Sequence, residues 1–211
     1  TEALQQKLFV EIKGRIKEDD ESVPYLNNGY YYQTKYFIGK EYPVYYRKKE
    51  GADSASVLLD VNVLAEGQKY TGVGGLSVSP DNNLLAYAVD HVSRRQYTMF
   101  FKDLNSGELL GDRIENVTGE AIWANDNKTV FYVSKDPETL RAAKVMKHIL
   151  GTPASEDKLI YDETDETFAV GLGKTKSKKY ITIVSNQTLT AEVRLIDADK
   201  PDGRVVVFEP R

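Results

Sequence analysis

Apolar residues recur at steps of about four along the first 17 residues. Leu4, Leu8, Ile12 and Ile16, with Phe9 beside them, make one stripe, and Glu2, Lys7, Glu11, Lys13 and Arg15 take the other face. That spacing predicts an amphipathic surface helix, weakened near its end by Gly14. The charge run Lys17–Glu21 and then Pro24 follow, so residues 1–22 read as a helix and a solvated linker. A cation site in that run is disfavoured, because the acids do not alternate as calcium-loop ligands do.

From Val23 onward the pattern changes to short alternating runs broken by Gly, Pro, Asn and Asp, which predicts strands and tight turns. The runs repeat. Leu76–Val89 aligns with Ala121–Ser134, so that Asp81 matches Asp126 and Tyr87 matches Tyr132, both at an offset of 45. Ala169–Val184 is a looser third copy with a Lys-rich turn and an offset nearer 50. A second pair of strands follows each copy: Tyr97–Leu104 with Gly111–Val117, Lys144–Leu150 with Lys158–Tyr161, and Ala191–Ile196 with Arg204–Phe208. A degenerate first copy comprises Gly29–Phe37, Glu41–Arg47 and Ser56–Leu59.

Four antiparallel strands per unit, at a period of about 45 to 50 residues, is the sequence form of a β-propeller blade. The prediction is an all-β chain: a helix and linker over 1–22, then blades over 23–65, 66–118, 119–164 and 165–211. A β-sandwich or an open meander is the competing arrangement. Nothing in the sequence closes a four-bladed ring, and Thr1 is not an initiator methionine. The expectation is therefore an incomplete ring, trimmed at its front, that self-associates through unpaired blade edges.

Composition narrows the function classes. The 14 tyrosines suit a half-wet β surface. A net charge of −4 and a pI near 5.4 argue against nucleic acid as a partner. The chain has no cysteine, which removes disulfides, zinc–thiolate sites and thiol catalysis. No apolar run approaches the roughly 20 residues that cross a bilayer, so no membrane partner is expected.

The residues for catalysis are missing. No Gly-x-Ser-x-Gly elbow occurs, and Gly74-Gly75-Leu76-Ser77 comes closest. Ser77 reads as a core or hydrogen-bonded serine of an inner strand. His91 and His148 stand 57 residues apart with no ligand-spaced neighbours, so neither metal nor cofactor is expected. Val73-Gly74-Gly75 opens no helix and reads as a bulge or close backbone approach rather than a phosphate loop. Asp162-Glu163 and Asp165-Glu166 read as a solvated loop, or else as an acidic surface seen by basic peptides or a docked domain. Ser93–Tyr97 carries Arg94 and Arg95 side by side. They enter a strand, so one points to each face, either to a salt bridge between blades or to a carboxylate of another domain or a peptide.

Several blocks carry a resemblance: Glu11–Lys17, Asp20–Tyr25, Asn28–Tyr32, Gly74-Gly75 with Ser79–Asn82, Ser93–Tyr97, Trp123–Asp126 and, longest, His148–Glu163. Through them the chain resembles, essentially end to end, the oligopeptidase B (protease II) group of the prolyl oligopeptidase family of serine peptidases. The resemblance implies a seven-bladed propeller covering an α/β-hydrolase domain that cleaves short peptides after Arg or Lys through a Ser-Asp-His triad. The propeller of that family limits access to small peptides. This chain matches the end of the N-terminal extension and about four blades, so the catalytic domain would be its partner, basic peptides the substrates, and the isolated chain inactive. Arg94 and Arg95 match the family's paired arginines, with Arg95 expected to face the cavity between domains. Lys69 stands where related chains often carry an acid. The expected compartment is the cytoplasm, with the periplasm left open. The rival reading is a stand-alone propeller that binds other proteins.

Overall fold

The computed structural model describes residues 1–211. The chain divides into two compact units, Thr1–Gly67 and Gln68–Arg211.

The first unit opens with helix α1 (Glu2–Gly14), acidic in its first turn and basic in its last, as the helix dipole favours. The predicted stripe is present, but no residue of α1 is buried, and Leu4 and Ile12 are about 60% exposed. Four antiparallel strands follow in sequence order: β1 (Tyr25–Asn27), β2 (Tyr30–Lys35), β3 (Val44–Lys49) and β4 (Ser56–Asp60). Strand β1 is additional to the three runs read from the sequence. Asn28 and Gly29, both at positive φ, close a two-residue hairpin that folds Tyr25–Asn27 back onto Tyr30–Tyr32. Asp60 then caps the short helix α2 (Val61–Leu64) through the Asn62 N–H at 2.9 Å.

In the second unit, seven strands are hydrogen-bonded in sequence order. They are β5 (Gly72–Val78), β6 (Leu84–Asp90), β7 (Tyr97–Asp103), β8 (Leu109–Trp123), β9 (Thr129–Lys135), β10 (Ala142–Ile149) and β11 (Lys158–Asp162). A separate four-stranded antiparallel sheet holds β12 (Ala169–Lys174), β13 (Tyr180–Asn186), β14 (Ala191–Asp197) and β15 (Val206–Glu209). The long sheet joins what the repeat pattern separates. Gly111–Val117 and the run beginning at Ala121 are one 15-residue strand, β8. Its first part pairs with β7 and its last part with β9, and Val117 faces both Tyr97 and Ser134.

Strand β8 bends between those parts. Gly119 lies against Gly75 of β5, and the Trp123 indole N–H donates to the Ser77 carbonyl at 2.9 Å. The second half of β8 therefore runs beside β5, back the way its first half came. Two core layers follow from the bend. One holds Met99, Phe101, Ile114, Val117, Trp123 and Tyr132. The other packs Phe131, Val133 and Val145 against Ile181, Ile183 and Ile196 of the last sheet. Strand β9 feeds both, because Val130 and Tyr132 point one way and Phe131 and Val133 the other. A strand buried on both faces reads as a continuous apolar run.

Polar contacts stitch the turns at one end. The Asp81 N–H donates to Asn127 at 2.9 Å, Asn125 reaches Asp199 at 2.7 Å, and Lys174 donates to the Trp123 carbonyl at 2.8 Å. Near that end His148 is wholly buried, with Nδ1 2.6 Å from Asp157 and Nε2 3.0 Å from Asp112. It is a strand histidine as expected, but one that ties β8, β10 and the loop before β11 together. Both ring nitrogens face carboxylates, so the imidazole donates on both sides only when it carries the second proton.

The tightest of the glycine positions is Gly75, which sits at φ +55 and whose added Cβ would lie 1.9 Å from the Gly119 carbonyl oxygen. Gly75→Ala needs both a left-handed alanine and a displaced strand, and is expected to cost more than about 3 kcal/mol in urea unfolding. Gly111→Ala, which meets nothing within 4 Å and has no positive φ, serves as the control, with a change below about 1 kcal/mol. Equal effects would contradict the packing described.

Candidate functional site

Register places four loops of the second unit at one end: the β6–β7, β9–β10, β11–β12 and β13–β14 connections. Tyr97 is level with Val117 and Ser134, Ala142 pairs with Lys135, the Glu163 N–H bonds to the Ala143 carbonyl, and Ala169 pairs with Asn186. Loops carried at one end of rigid sheets are where binding residues concentrate.

Arg94 and Arg95 lie in the first of these loops. They do not enter a strand, because β7 begins only at Tyr97. The cause is Asp90. Its carboxylate, buried at the end of β6, accepts the backbone N–H groups of Val92 (2.7 Å), Ser93 (3.1 Å) and Arg95 (2.6 Å). Those bonds curl the chain, with Ser93 and Arg95 at φ 62 and 56. Both arginines are exposed, and neither guanidinium has an ion pair or a side-chain hydrogen bond within the chain. A salt bridge between blades, one of the two roles considered from the sequence, is therefore absent. The other backbone group of the loop is taken up instead: the Lys135 ammonium donates to the Arg95 carbonyl at 2.9 Å. Burial, and then the Arg95 charge, hold Lys135 below the usual lysine range.

The β9–β10 and β11–β12 loops enclose a cavity of about 700 Å³, lined by Lys135, Asp136, Pro137, Arg141, Lys144, Asp162, Glu163 and Glu166 among others. Arg141 anchors its floor. Its guanidinium donates to the carbonyls of Glu163 (2.9 Å) and Phe168 (3.2 Å), fixing the β11–β12 loop. The acids that read as a solvated loop are split. Asp162, Asp165 and Glu166 are exposed, whereas Glu163 is only 1% exposed. It accepts from the Ser185 hydroxyl, from the Tyr161 hydroxyl at 2.6 Å, from the Asp165 N–H at 3.0 Å and from Arg211 at 3.1 Å. Burial pushes its carboxyl upward, but the bonds from Ser185, Tyr161, Asp165 and Arg211 outweigh it and bring the carboxyl to about 2. Ser185 and Arg211 lie 22 and 48 residues away, so only the fold reveals the cluster.

The other sequence candidates fall elsewhere. Gly74-Gly75 form a bulge in the β5–β6 pairing and a close backbone approach, as read from the sequence. Ser77 lends its carbonyl to Trp123. His91 is exposed and bonds to Thr71 at 3.1 Å. None of these brings a nucleophile, a base and an oxyanion donor together.

Antiparallel strands laid down in sequence order, in sheets of four, seven and four strands, suit a propeller module. The chain belongs to the family described as "Prolyl oligopeptidase, N-terminal beta-propeller domain", which matches residues 1–211. Among curated relatives it is 45% identical to dipeptidyl aminopeptidase BI of Pseudoxanthomonas mexicana, over 99% of this chain and 31% of that protein. It is 32% identical to Protease 2 of Moraxella lacunata, over 98% of this chain and 31% of that one. Among solved structures, oligopeptidase B from Leishmania major superposes with a TM-score of 0.90 at 34% identity, covering 99% of this chain and 30% of that one. Oligopeptidase B from Trypanosoma brucei, in a closed form with covalently bound antipain, gives a TM-score of 0.88 at 29% identity, with coverage of 99% and 30%. The chain thus spans about a third of the relatives it matches.

The Glu163 cluster has a pH signature. Its folded carboxyl lies near 2 against an ordinary 4.5, so its stabilisation is present above pH 4.5 and is lost as pH falls toward 2. The full contribution is about 3 kcal/mol, of which about 2 kcal/mol is gone by pH 3. The stability gap between the wild type and Glu163→Gln is expected to narrow by that amount between pH 7 and pH 3 in urea titrations. An unchanged gap would show that the carboxylate is not held by these bonds.

Proposed function

We propose that this chain is the propeller portion of an oligopeptidase B-type serine peptidase that cleaves short peptides after Arg or Lys. In this reading the same polypeptide carries an α/β-hydrolase domain with the triad. The propeller packs on that domain and admits only small peptides to it. The observation that carries the proposal is the end-to-end match, at a TM-score of 0.90, to about a third of an oligopeptidase B, in a chain with no nucleophile elbow of its own. Division of labour follows: acyl-enzyme chemistry needs an activated serine and an oxyanion hole, and here only positioning groups are present.

A second reading is favoured by the 45%-identical relative, which is named as a dipeptidyl aminopeptidase. Under it the parent enzyme removes dipeptides from free N-termini. A stand-alone interaction module is the third possibility, and a downstream Gly-x-Ser-x-Gly segment in the same reading frame excludes it.

One assay separates these. Fluorogenic peptides ending in Arg-Arg or Lys-Arg, with blocked and with free N-termini, are offered to the 211-residue chain and to the full gene product. The chain alone is expected to be silent. The full product is expected to cleave the blocked peptides, to lose activity to a fluorophosphonate, and to leave the same site uncut inside a long denatured protein. Turnover by the chain itself, or a parent that cuts only unblocked dipeptides, would overturn the proposal.

A further inference from the structure

Resting on the peptidase reading, we propose that the β6–β7 loop and the adjoining cavity form a subsite for the C-terminal carboxylate of a short peptide, with Arg94, Arg95 and Lys135 as its anion-binding groups.

Three observations carry the proposal. The first is unspent charge. Three cations gather around one loop, and the carboxylate at its base, Asp90, is buried and occupied by three backbone N–H groups. The chain as a whole carries 28 Lys and Arg against 32 Asp and Glu, a net charge of −4. A local positive excess in an acidic chain selects an anion.

The second is preorganisation. Asp90 holds the loop from inside, and the Gln96 amide donates to the Pro137 carbonyl at 3.3 Å, tying the loop to its neighbour. A guanidinium on a fixed loop loses little freedom on binding, and its planar fork matches a carboxylate.

The third is the company the cations keep. Lys135 bonds to the arginine loop and also lines the 700 Å³ cavity, as does Pro137. The volume is that of a small-ligand site. The same cavity is lined by the acids Asp136, Asp162 and Glu166 and by the further cations Arg141 and Lys144. Cations and acids in one cavity complement a peptide that ends in a carboxylate and carries basic side chains. The same acids repel a polyanion, which removes nucleic acid and polyphosphate as ligands. Lys135 is held below the usual lysine range by burial and then by Arg95, and a bound carboxylate would relieve that repulsion.

The test uses the full-length protein and two fluorogenic peptides identical except at the C-terminus, one a free acid and one an amide. The wild type is expected to favour the acid about tenfold in kcat/KM, through KM, with less preference at high salt. The double variant Arg94→Gln with Arg95→Gln, and separately Lys135→Met, should bring the ratio to about one. Lys200→Gln, which removes an exposed cation from the β14–β15 turn, should leave it intact. Calorimetry with an uncleavable acid and amide pair on the same protein reads the subsite without turnover. No acid preference in either measurement, or variants that slow both peptides alike because the arginines meet the hydrolase domain, would overturn the proposal. Loss of all serine-dependent hydrolysis with the binding preference intact would instead count against the peptidase reading alone.

Discussion

The second unit depends on one close contact, the approach of Gly75 to Gly119. The added Cβ distance of 1.9 Å to a carbonyl oxygen shows that two backbones touch where any side chain would intervene. That contact lets β8 turn back beside β5 and so converts a seven-strand run into two layers facing each other. The buried ring of Trp123, its indole N–H on the Ser77 carbonyl, fills the wedge that the turn opens. Without the bend, Val130 and Tyr132 would have no facing layer to bury against, and the long sheet would expose one apolar face.

The same geometry explains why the two ends of this unit differ. At one end, short turns lock to one another through Asn125, Asn127 and Lys174, and the His148 pair of carboxylates sits nearby in the core. At the other end the loops are held from within by Asp90, Arg141 and Glu163, which spend themselves on backbone and on each other. Internal anchoring leaves Arg94, Arg95 and the cavity acids facing outward. The propeller domain therefore presents a fixed, charged rim at this end.

The repeat was legible because its turns are local. Asn82 and Asn127 occupy equivalent positions at φ 66 and 60, a conformation that Asn tolerates well. In the third copy Lys178 takes the same place at φ 61, and Thr175 supplies the capping oxygen to the Tyr180 N–H. The geometry is kept while the chemistry changes, which is why that copy looked looser. Strand β1 was missed because three residues carry too little periodicity to announce a strand. The continuity of β8 was hidden because Thr118–Glu120 reads as a break. The arginine loop and the Glu163 cluster were misread for another reason. Their conformations are set by a buried acid and by partners far along the chain, and neither leaves a mark in local spacing.

The central claim is that the long sheet is one cooperative body, joined through the bend in β8. Native-state hydrogen exchange measures this directly, strand by strand. The account predicts that the protected amides of β6, β7, β9 and β10 open with free energies within about 1 kcal/mol of each other. Two plateaus separated by more than about 2 kcal/mol, with β5–β7 on one and β9–β11 on the other, would show that the repeats unfold independently and would contradict it.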